Sequence, residues 1–482
     1  VSDPKTRRFF LGALTAASAV RVWGANDKVN VGIVGLGGRG SNHLDIYSSR
    51  IPEAKVVAIC DINQAARERA QARLKNNNAD QAKEFEDMRQ MFADPTVEAV
   101  SIATPNHWHA LSAIWAMKAG KDVYGEKPAC YNIHEGIKMV EAQRATKRIM
   151  QVGSQHRSWP FKIKSITALQ QGLIGKLYMT KALCYKLRPS IGHTPDTPTP
   201  PGVNWDLFLG PAPMRPFNQK RFAYYWHWFW DTGNGDIGNQ GVHETGIARW
   251  ALGDPDWPQT AVAFGGKFGI DDDTETPNTL TAGFSYGDRQ LVIEVRGKMT
   301  NGEGVRQARV VTAGPAAAGR GGRGGRGGPG GPPPEGAAAP TVPTPPPAGA
   351  APAPGTPAAN PMNVGVGNLF YGSEGWAVMS DSGFQAYKGD SSELIMEERP
   401  EGREDSTRYH MQNFLACVKS RNEKDLHDPI ANAVPSADLC HLANISYRVG
   451  RQLKIEAGPK FIGDAEATKM ITRPVYRKPY EV

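Results

Sequence analysis

The sequence predicts an α/β chain: a doubly wound parallel sheet in the N-terminal third, then an α+β domain on an open-faced, mainly antiparallel sheet. Three observations carry this. Over residues 28–152, short β-branched runs alternate with amphipathic stretches, which is how a parallel sheet with helices on both faces is encoded. A glycine-rich turn, Gly35-Leu36-Gly37-Gly38-Arg39-Gly40, directly follows the first such run. Beyond about residue 155 the runs lengthen and alternate apolar with polar, as in sheets with one covered face.

Taken in order, residues 1–26 read as a leader. Arg7-Arg8-Phe9-Phe10-Leu11 precedes a weakly apolar run ending in Ala16, Ala17, Ser18 and Ala19. Paired arginines in that setting predict a twin-arginine signal, hence a periplasmic or otherwise exported protein. The run is far shorter than the roughly 20 residues that span a bilayer, so no stable membrane insertion is expected. Residues 27–152 form the predicted dinucleotide-binding domain. Its strands fall at 29–34, 55–60, 97–103, 122–124 and 149–152, with helices such as 110–119 and 133–147.

Residues 153–482 form the predicted substrate and oligomerisation domain. It opens with a helix at 161–171 and a strand at 177–185, followed by a Pro/Thr-rich loop at 195–201 and an aromatic stretch at 222–230. Strands follow at 259–268, 280–286, 290–297, 368–370 and 376–379, with helices at 406–421 and 436–453. Residues 314–360 are Gly, Pro and Ala-rich, with an Arg-Gly-Gly repeat. Such a segment cannot bury enough apolar surface to order itself, so a disordered surface-loop insertion is predicted.

With 482 residues the chain exceeds one core, and two domains are the default. The net charge of +8 does not predict nucleic-acid binding: several arginines sit in the leader and the Gly-rich tract, and no basic helix with interleaved aromatics appears. Five scattered cysteines, Cys60, Cys130, Cys184, Cys417 and Cys440, lack the spacing of a disulfide framework or a zinc site and read as buried hydrophobes.

The chemistry begins at the glycine turn, whose spacing is G-x-G-x-x-G between a strand and a helix. Gly35 permits the tight turn, Gly37 and Gly38 let the backbone approach a pyrophosphate, and Gly40 allows close helix–strand packing. The helix N-terminus then offers N–H groups to the phosphates. Asp61 ends the second strand and can accept both ribose hydroxyls, which favours NAD over NADP; Arg39 remains available to a phosphate. Thr104-Pro105-Asn106-His107-Trp108-His109 and Gly125-Glu126-Lys127-Pro128 stand at later strand ends, where ligands bind in such sheets. Lys127 there can reach a nicotinamide and a substrate hydroxyl. His107 and His109 suggest a metal pair, but no third ligand stands out, so none is expected.

These motifs, with Gly235-Asp236-Ile237-Gly238-Asn239-Gln240-Gly241-Val242-His243, resemble the family of glucose-fructose oxidoreductase, inositol dehydrogenase and rhizopine-catabolism proteins. The resemblance implies a Rossmann domain, an open-faced sheet domain and a homodimer or homotetramer. Among the cofactor contacts it implies Thr104, Pro105, Asn106, His109, Glu126 and Lys127. It also implies that Lys127 and His243 face the substrate hydroxyl across the nicotinamide, His243 as general base and Lys127 stabilising negative charge on oxygen. Many relatives carry aspartate four positions before this histidine; Asn239 stands here and can orient but cannot neutralise an imidazolium.

For a small carbohydrate substrate, Gln155, His156, Arg157, Tyr185, Trp226, Trp228 and Trp230, with Tyr224, Tyr225 and His227, offer the aromatic faces and donors a pyranose needs. Filling the second core is the competing role. The predicted function is oxidation of a secondary hydroxyl of a sugar, glycoside or cyclitol with tightly bound NAD. Two alternatives stay open: NAD-dependent glycoside hydrolysis through transient C3 oxidation, and a non-catalytic sugar- or dinucleotide-binding protein.

Overall fold

The computed structural model describes residues 27–303 and 364–482, apart from positions 223, 392, 403 and 457. The predicted export signal at 1–26 and the insertion at 314–360 lie outside the described residues.

The first sheet comprises β1 (Val29–Val34), β2 (Ala54–Cys60), β3 (Lys83–Phe85), β4 (Ala99–Ile102), β5 (Asp122–Gly125) and β6 (Met150–Val152). Their order is β3-β2-β1-β4-β5-β6, with every pairing parallel. These strands read as continuous apolar runs because both faces are covered. On the connections lie α1 (Gly38–Ser49), α2 (Gln64–Asn76), α3 (Met88–Ala93), α4 (Asn106–Lys118) and α5 (Ile133–Thr146). The chain leaves β1 on one side and returns beside it as β4, so a crevice opens at the carboxyl ends of these two strands. That reversal is where such sheets bind ligands.

After α6 (Pro160–Gln170), β7 (Leu177–Tyr185) enters the middle of a nine-stranded sheet. The helix α7 (Val242–Ala251) precedes β8 (Thr260–Gly266), β9 (Thr279–Tyr286) and β10 (Arg289–Arg296). Beyond the insertion come β11 (Val366–Gly372), β12 (Gly375–Ser380), β13 (Gly383–Lys388) and β14 (Leu394–Glu398). Two long helices, α8 (Ser406–Ser420) and α9 (Ile430–Val449), and the short β15 (Leu453–Lys454) complete the domain. The order is β14-β13-β12-β11-β7-β10-β9-β8-β15, antiparallel except for the β7–β10 pair.

One face of this sheet buries Ala182, Cys184, Ile293 and Phe284 against Val242, Ala248 and Leu442 of α7 and α9. The C-terminal helices also serve the first sheet: Met411, Phe414 and Val418 of α8 join the core of Val31, Ile33 and Tyr124. Sequence signals start the last helix after Pro435, but it begins at Ile430 and runs through that proline. Pro435 is the sixth residue of the helix and forgoes the one bond an N–H there would make to the Ala431 carbonyl. All five cysteines are free and buried, and no described helix is long and apolar enough to cross a membrane.

Candidate active site

The glycine turn closes the amino end of α1. Gly35 has φ +80°, and a Cβ there would stand 2.7 Å from the Ala103 carbonyl oxygen on the β4 side. A Cβ on Gly40 would meet the Gly35 carbonyl oxygen at 1.7 Å, so turn and helix touch backbone to backbone. Around Gly37 and Gly38 the space is open, and no side chain caps α1. Asp61 accepts from the Leu36 N–H (2.6 Å) and the Asn63 N–H (2.8 Å), which pins the β2 end against the turn. At the end of β4, the Thr104 hydroxyl is buried without a partner. An open cradle at a helix N-terminus, a carboxylate at the neighbouring strand end and an orphaned hydroxyl between them fit a dinucleotide.

From β5 the chain passes through Glu126 and Lys127 into a cis Lys127–Pro128 peptide. Glu126 accepts from Arg39 Nε (2.7 Å) and the Lys127 N–H (3.2 Å) and faces His43 Nε2 (3.0 Å). Burial alone would raise its carboxyl, but Arg39 and His43 hold it well below the usual range. Glu126 therefore anchors the loop from inside. Arg39, which also reaches Asn42 and Gln155, is held on this side of the turn, away from the ribose end marked by Asp61.

Lys127 points out of the loop. Its Nζ donates to the Asn239 carbonyl (2.8 Å) and lies 3.4 Å from Asn239 Oδ1. Burial pushes the ammonium down to about 8 against the pull of Glu126, with Arg39 and Lys186 adding to the fall. Asn239 sits in a π-helical turn, Ile237–Gly241, immediately before α7; such turns recur at functional sites. Its Nδ2 donates to the Tyr224 hydroxyl (3.1 Å). One turn on, His243 lies with its ring centre 5.0 Å from that of His156.

Burial first, then the charges of Lys127 and His156, keep the His243 imidazole well below its ordinary range and so neutral near pH 7. Its Nδ1 and the Nδ1 of His156 are both buried without partners. A cavity of ≈ 30 Å³ is bordered by Lys127, Ser154, His156, Arg157, His243 and Asp428. That volume admits a water. Lys127, Asn239 and His243, which the sequence put forward together, thus converge on one place.

Other expected contact residues are engaged by partners within the protein. His109 faces the Pro128 and Thr104 carbonyls (2.7 and 2.9 Å) through its two ring nitrogens. It clips two loops together. The Asn106 amide donates to Asn234 (2.9 Å), and Pro105 caps α4. Arg157 is buried in a bidentate pair with Asp254 (2.9 and 2.7 Å) beside Asp428 (3.5 Å), so it braces the fold at the edge of the cavity. Tyr185 lies on the opposite face of the sheet, where its hydroxyl donates to Glu303 (2.6 Å) and Arg296 covers its ring.

The aromatic stretch divides. Trp226 stacks on His227, centres 3.5 Å apart, and Trp228 packs beneath Arg188 and beside Tyr224. Trp230 takes the Tyr131 hydroxyl on its carbonyl and lies under Arg448, which makes it a joint between domains. Among the described residues of the stretch, Tyr224 alone is hydrogen-bonded to the Lys127–Asn239 pair.

Three groups beside the site carry no motif. Lys162 is buried and pairs with Asp381 (2.7 Å), which faces His156 (3.5 Å). Glu244, next to His243, is pushed up to about 8 by burial and by the charge of Asp381. Glu244 was within reach of sequence reasoning as the acidic neighbour of a singled-out histidine. Asp381, in a turn between β12 and β13, carried no signal.

Two family models match consecutively. The oxidoreductase-family NAD-binding Rossmann fold covers residues 29–154, and that family's C-terminal alpha/beta domain covers 145–289. An inositol 2-dehydrogenase/D-chiro-inositol 3-dehydrogenase of Shouchella clausii is 31% identical over 169 residues, 35% of this chain and 48% of the relative. A glycosyl hydrolase family 109 protein of a Shewanella species is 30% identical over 156 residues, 31% of this chain and 34% of the relative. The chain thus spans about half the length, or less, of the curated relatives it matches. In fold it resembles the WlbA dehydrogenase of Bordetella pertussis, solved with NADH and UDP-GlcNAcA, at a TM-score of 0.58 and 18% identity over 89% of this chain and 99% of that one. With one family domain over the first sheet and the other running from its end through β9 of the second, the chain belongs to the oxidoreductase family of glucose-fructose oxidoreductase, inositol dehydrogenase and rhizopine-catabolism proteins.

Proposed function

We propose that this protein oxidises a secondary hydroxyl of a sugar, glycoside or cyclitol, with NAD retained in the crevice at the glycine turn. The observation that carries this reading is that Lys127 and His243 border one cavity beyond the carboxyl end of β5, with Asn239 holding the Lys127 ammonium. The inositol dehydrogenase relative supports the substrate class. NAD, when bound, supplies the hydride acceptor. Gly37, Gly38 and the N-terminus of α1 would hold its pyrophosphate, Asp61 its ribose and the Thr104 hydroxyl a further polar group.

The chain's own residues then handle the proton. Lys127, an ammonium below about pH 8, donates to the carbinol oxygen and stabilises the charge that grows there. Neutral His243 takes the hydroxyl proton. Asn239 holds the Lys127 ammonium in place through its carbonyl, and Tyr224 fixes the Asn239 amide. With no carboxylate at position 239, the imidazolium formed is not neutralised there, so its proton must pass on quickly, through water in the adjoining cavity.

A second reading has a specific support, the glycosyl hydrolase family 109 relative. The same proton-handling pair would serve oxidation at C3, elimination of the aglycone, addition of water and re-reduction at C3 by the hydride first taken up, giving net hydrolysis. The test is to denature the purified protein and assay released NAD, then to offer the native protein inositols, free sugars and aryl glycosides without added cofactor. Reduction of bound NAD by a polyol or sugar supports oxidation, and catalytic aglycone release supports hydrolysis. A protein that binds NAD but turns over none of them is a binding protein.

Location and assembly belong to the same proposal. Arg7 and Arg8 would direct export, so Arg7→Lys with Arg8→Lys should strand the protein in the cytoplasm on fractionation. The outer face of the large sheet exposes Tyr178, Val262 and Phe264, an apolar surface suited to a homodimer or homotetramer, to be read by light scattering.

A further inference from the structure

Some way behind the site, three side chains of different chemistry meet at full burial. Cys130 (0% exposed), three residues beyond Lys127, meets Asp438 (2%) and His441 (4%), which are one turn apart on α9. One ligand atom from each lies within 4.8 Å of the other two. The Cys130 Sγ and His441 Nε2 are 3.5 Å apart across 311 positions of sequence. A tetrahedral zinc with Zn–S and Zn–N bonds of about 2.3 and 2.0 Å sets its sulfur and nitrogen about 3.5 Å apart.

A thiol–imidazole hydrogen bond alone would account for that pair, but it leaves Asp438 unexplained. Neither carboxylate oxygen of Asp438 has a hydrogen-bond partner. The cation that acts on it, Arg249, donates instead to Asp254, Asn432 and Ser436. A buried carboxyl left without a partner is costly, and such a group in a native fold calls for an ion or a water.

We infer that Cys130, Asp438 and His441 supply three ligands of one zinc ion, a water completing the tetrahedron, and that the ion ties α9 to the loop carrying Lys127. The charge balance favours a divalent ion. Thiolate and carboxylate together carry two negative charges and the imidazole none, so the loaded site is neutral and can stay buried. The thiolate selects zinc over magnesium or calcium. On binding, the Cys130 thiol and the Asp438 carboxyl each release to solvent the proton they hold in the metal-free site, and nothing is oxidised or reduced. This site is separate from the proposed reaction, and a positive result stands whether or not the protein turns over a sugar.

The experiment uses the full chain, free of any affinity tag, expressed with zinc in the medium and passed over chelating resin to strip surface ions. Mass spectrometry of the metal content should find about one zinc per chain. Cys130→Ser and Asp438→Asn should each lower that several-fold. Chain grown with cobalt instead should show thiolate-to-cobalt absorption in the near ultraviolet, lost in Cys130→Ser. Wild-type chain holding well below one equivalent, or cobalt protein without that absorption, overturns the inference. So does full retention of zinc by both variants. If neither variant folds, the wild-type content and the cobalt spectrum decide on their own.

Discussion

The glycine turn and the Lys127–His243 pocket lie on either side of one crevice, yet they are built by different means. The turn is local: six consecutive residues, with Gly35 and Gly40 in backbone contact and the next strand end pinned by Asp61. Its chemistry is that of the main chain. The pocket is assembled from distant pieces, Lys127 after β5, His156 before α6, Tyr224 in the aromatic stretch, and Asn239 and His243 around α7. Its chemistry is that of side chains whose protons are set by what is packed around them. A local site is lost by adding atoms to it, whereas an assembled one is lost by removing a single donor.

The largest effect expected is on the assembled side. Lys127→Ala removes the donor proposed to face the substrate oxygen, and turnover should fall by roughly 10³-fold or more, while NAD binding followed by fluorescence is retained. Loss of NAD binding along with turnover would place Lys127 in the cofactor cradle instead and blur the contrast. On the local side, Gly40→Ala cannot be accommodated without moving the Gly35 carbonyl and should cost about 3 kcal/mol or more in a denaturant titration. Gly37→Ala meets open space at φ −67°. It should leave stability within about 1 kcal/mol of wild type, yet weaken NAD by about tenfold or more because the backbone can no longer approach the pyrophosphate.

A pH profile sharpens the same comparison. His243 is neutral throughout the working range because its basicity is depressed, whereas Lys127 loses its proton near pH 8. If charged Lys127 is needed and His243 is the base, turnover is level from about pH 6 and declines roughly tenfold per unit above 8. A rise through pH 8 would make neutral Lys127 the base and exchange the two roles. No such limb is expected in NAD binding, which rests on main-chain donors.

How far each region was legible follows from this difference. The glycine turn, Asp61 and the Glu-Lys-Pro segment could be read because a short span of sequence dictates their geometry. His243 and Asn239 could be named because of the resemblance, not because spacing alone demands them. The residues whose protein partners were hidden in the sequence share a cause. Tyr185 ends a strand in which Leu183, Cys184 and Tyr185 are all apolar and buried, so alternation gives no sign of which face it takes. Arg157 looked free because its partners, Asp254 and Asp428, come from far along the chain. His109 looked like a cofactor contact because the two loops it joins are adjacent only after folding. The same holds for Cys130, whose nearest polar neighbours lie on the last helix.

The smallest effect separates two tyrosines that the sequence grouped together as sugar contacts. Tyr224 bonds Asn239, so Tyr224→Phe should release the Asn239 amide, let the Lys127 ammonium wander and lower kcat several-fold with little change in stability. Tyr185 bonds Glu303 on the far face of the sheet. Tyr185→Phe should therefore leave kcat and KM within about twofold of wild type, with a loss of about 1 kcal/mol in stability from the missing hydrogen bond. Equal losses of kcat in the two variants would mean that the outer face of the sheet is coupled to the pocket, for instance through a neighbouring subunit. The outer face would then have to be counted as part of the active site, and the contrast between a local and an assembled half would need a third, intersubunit component.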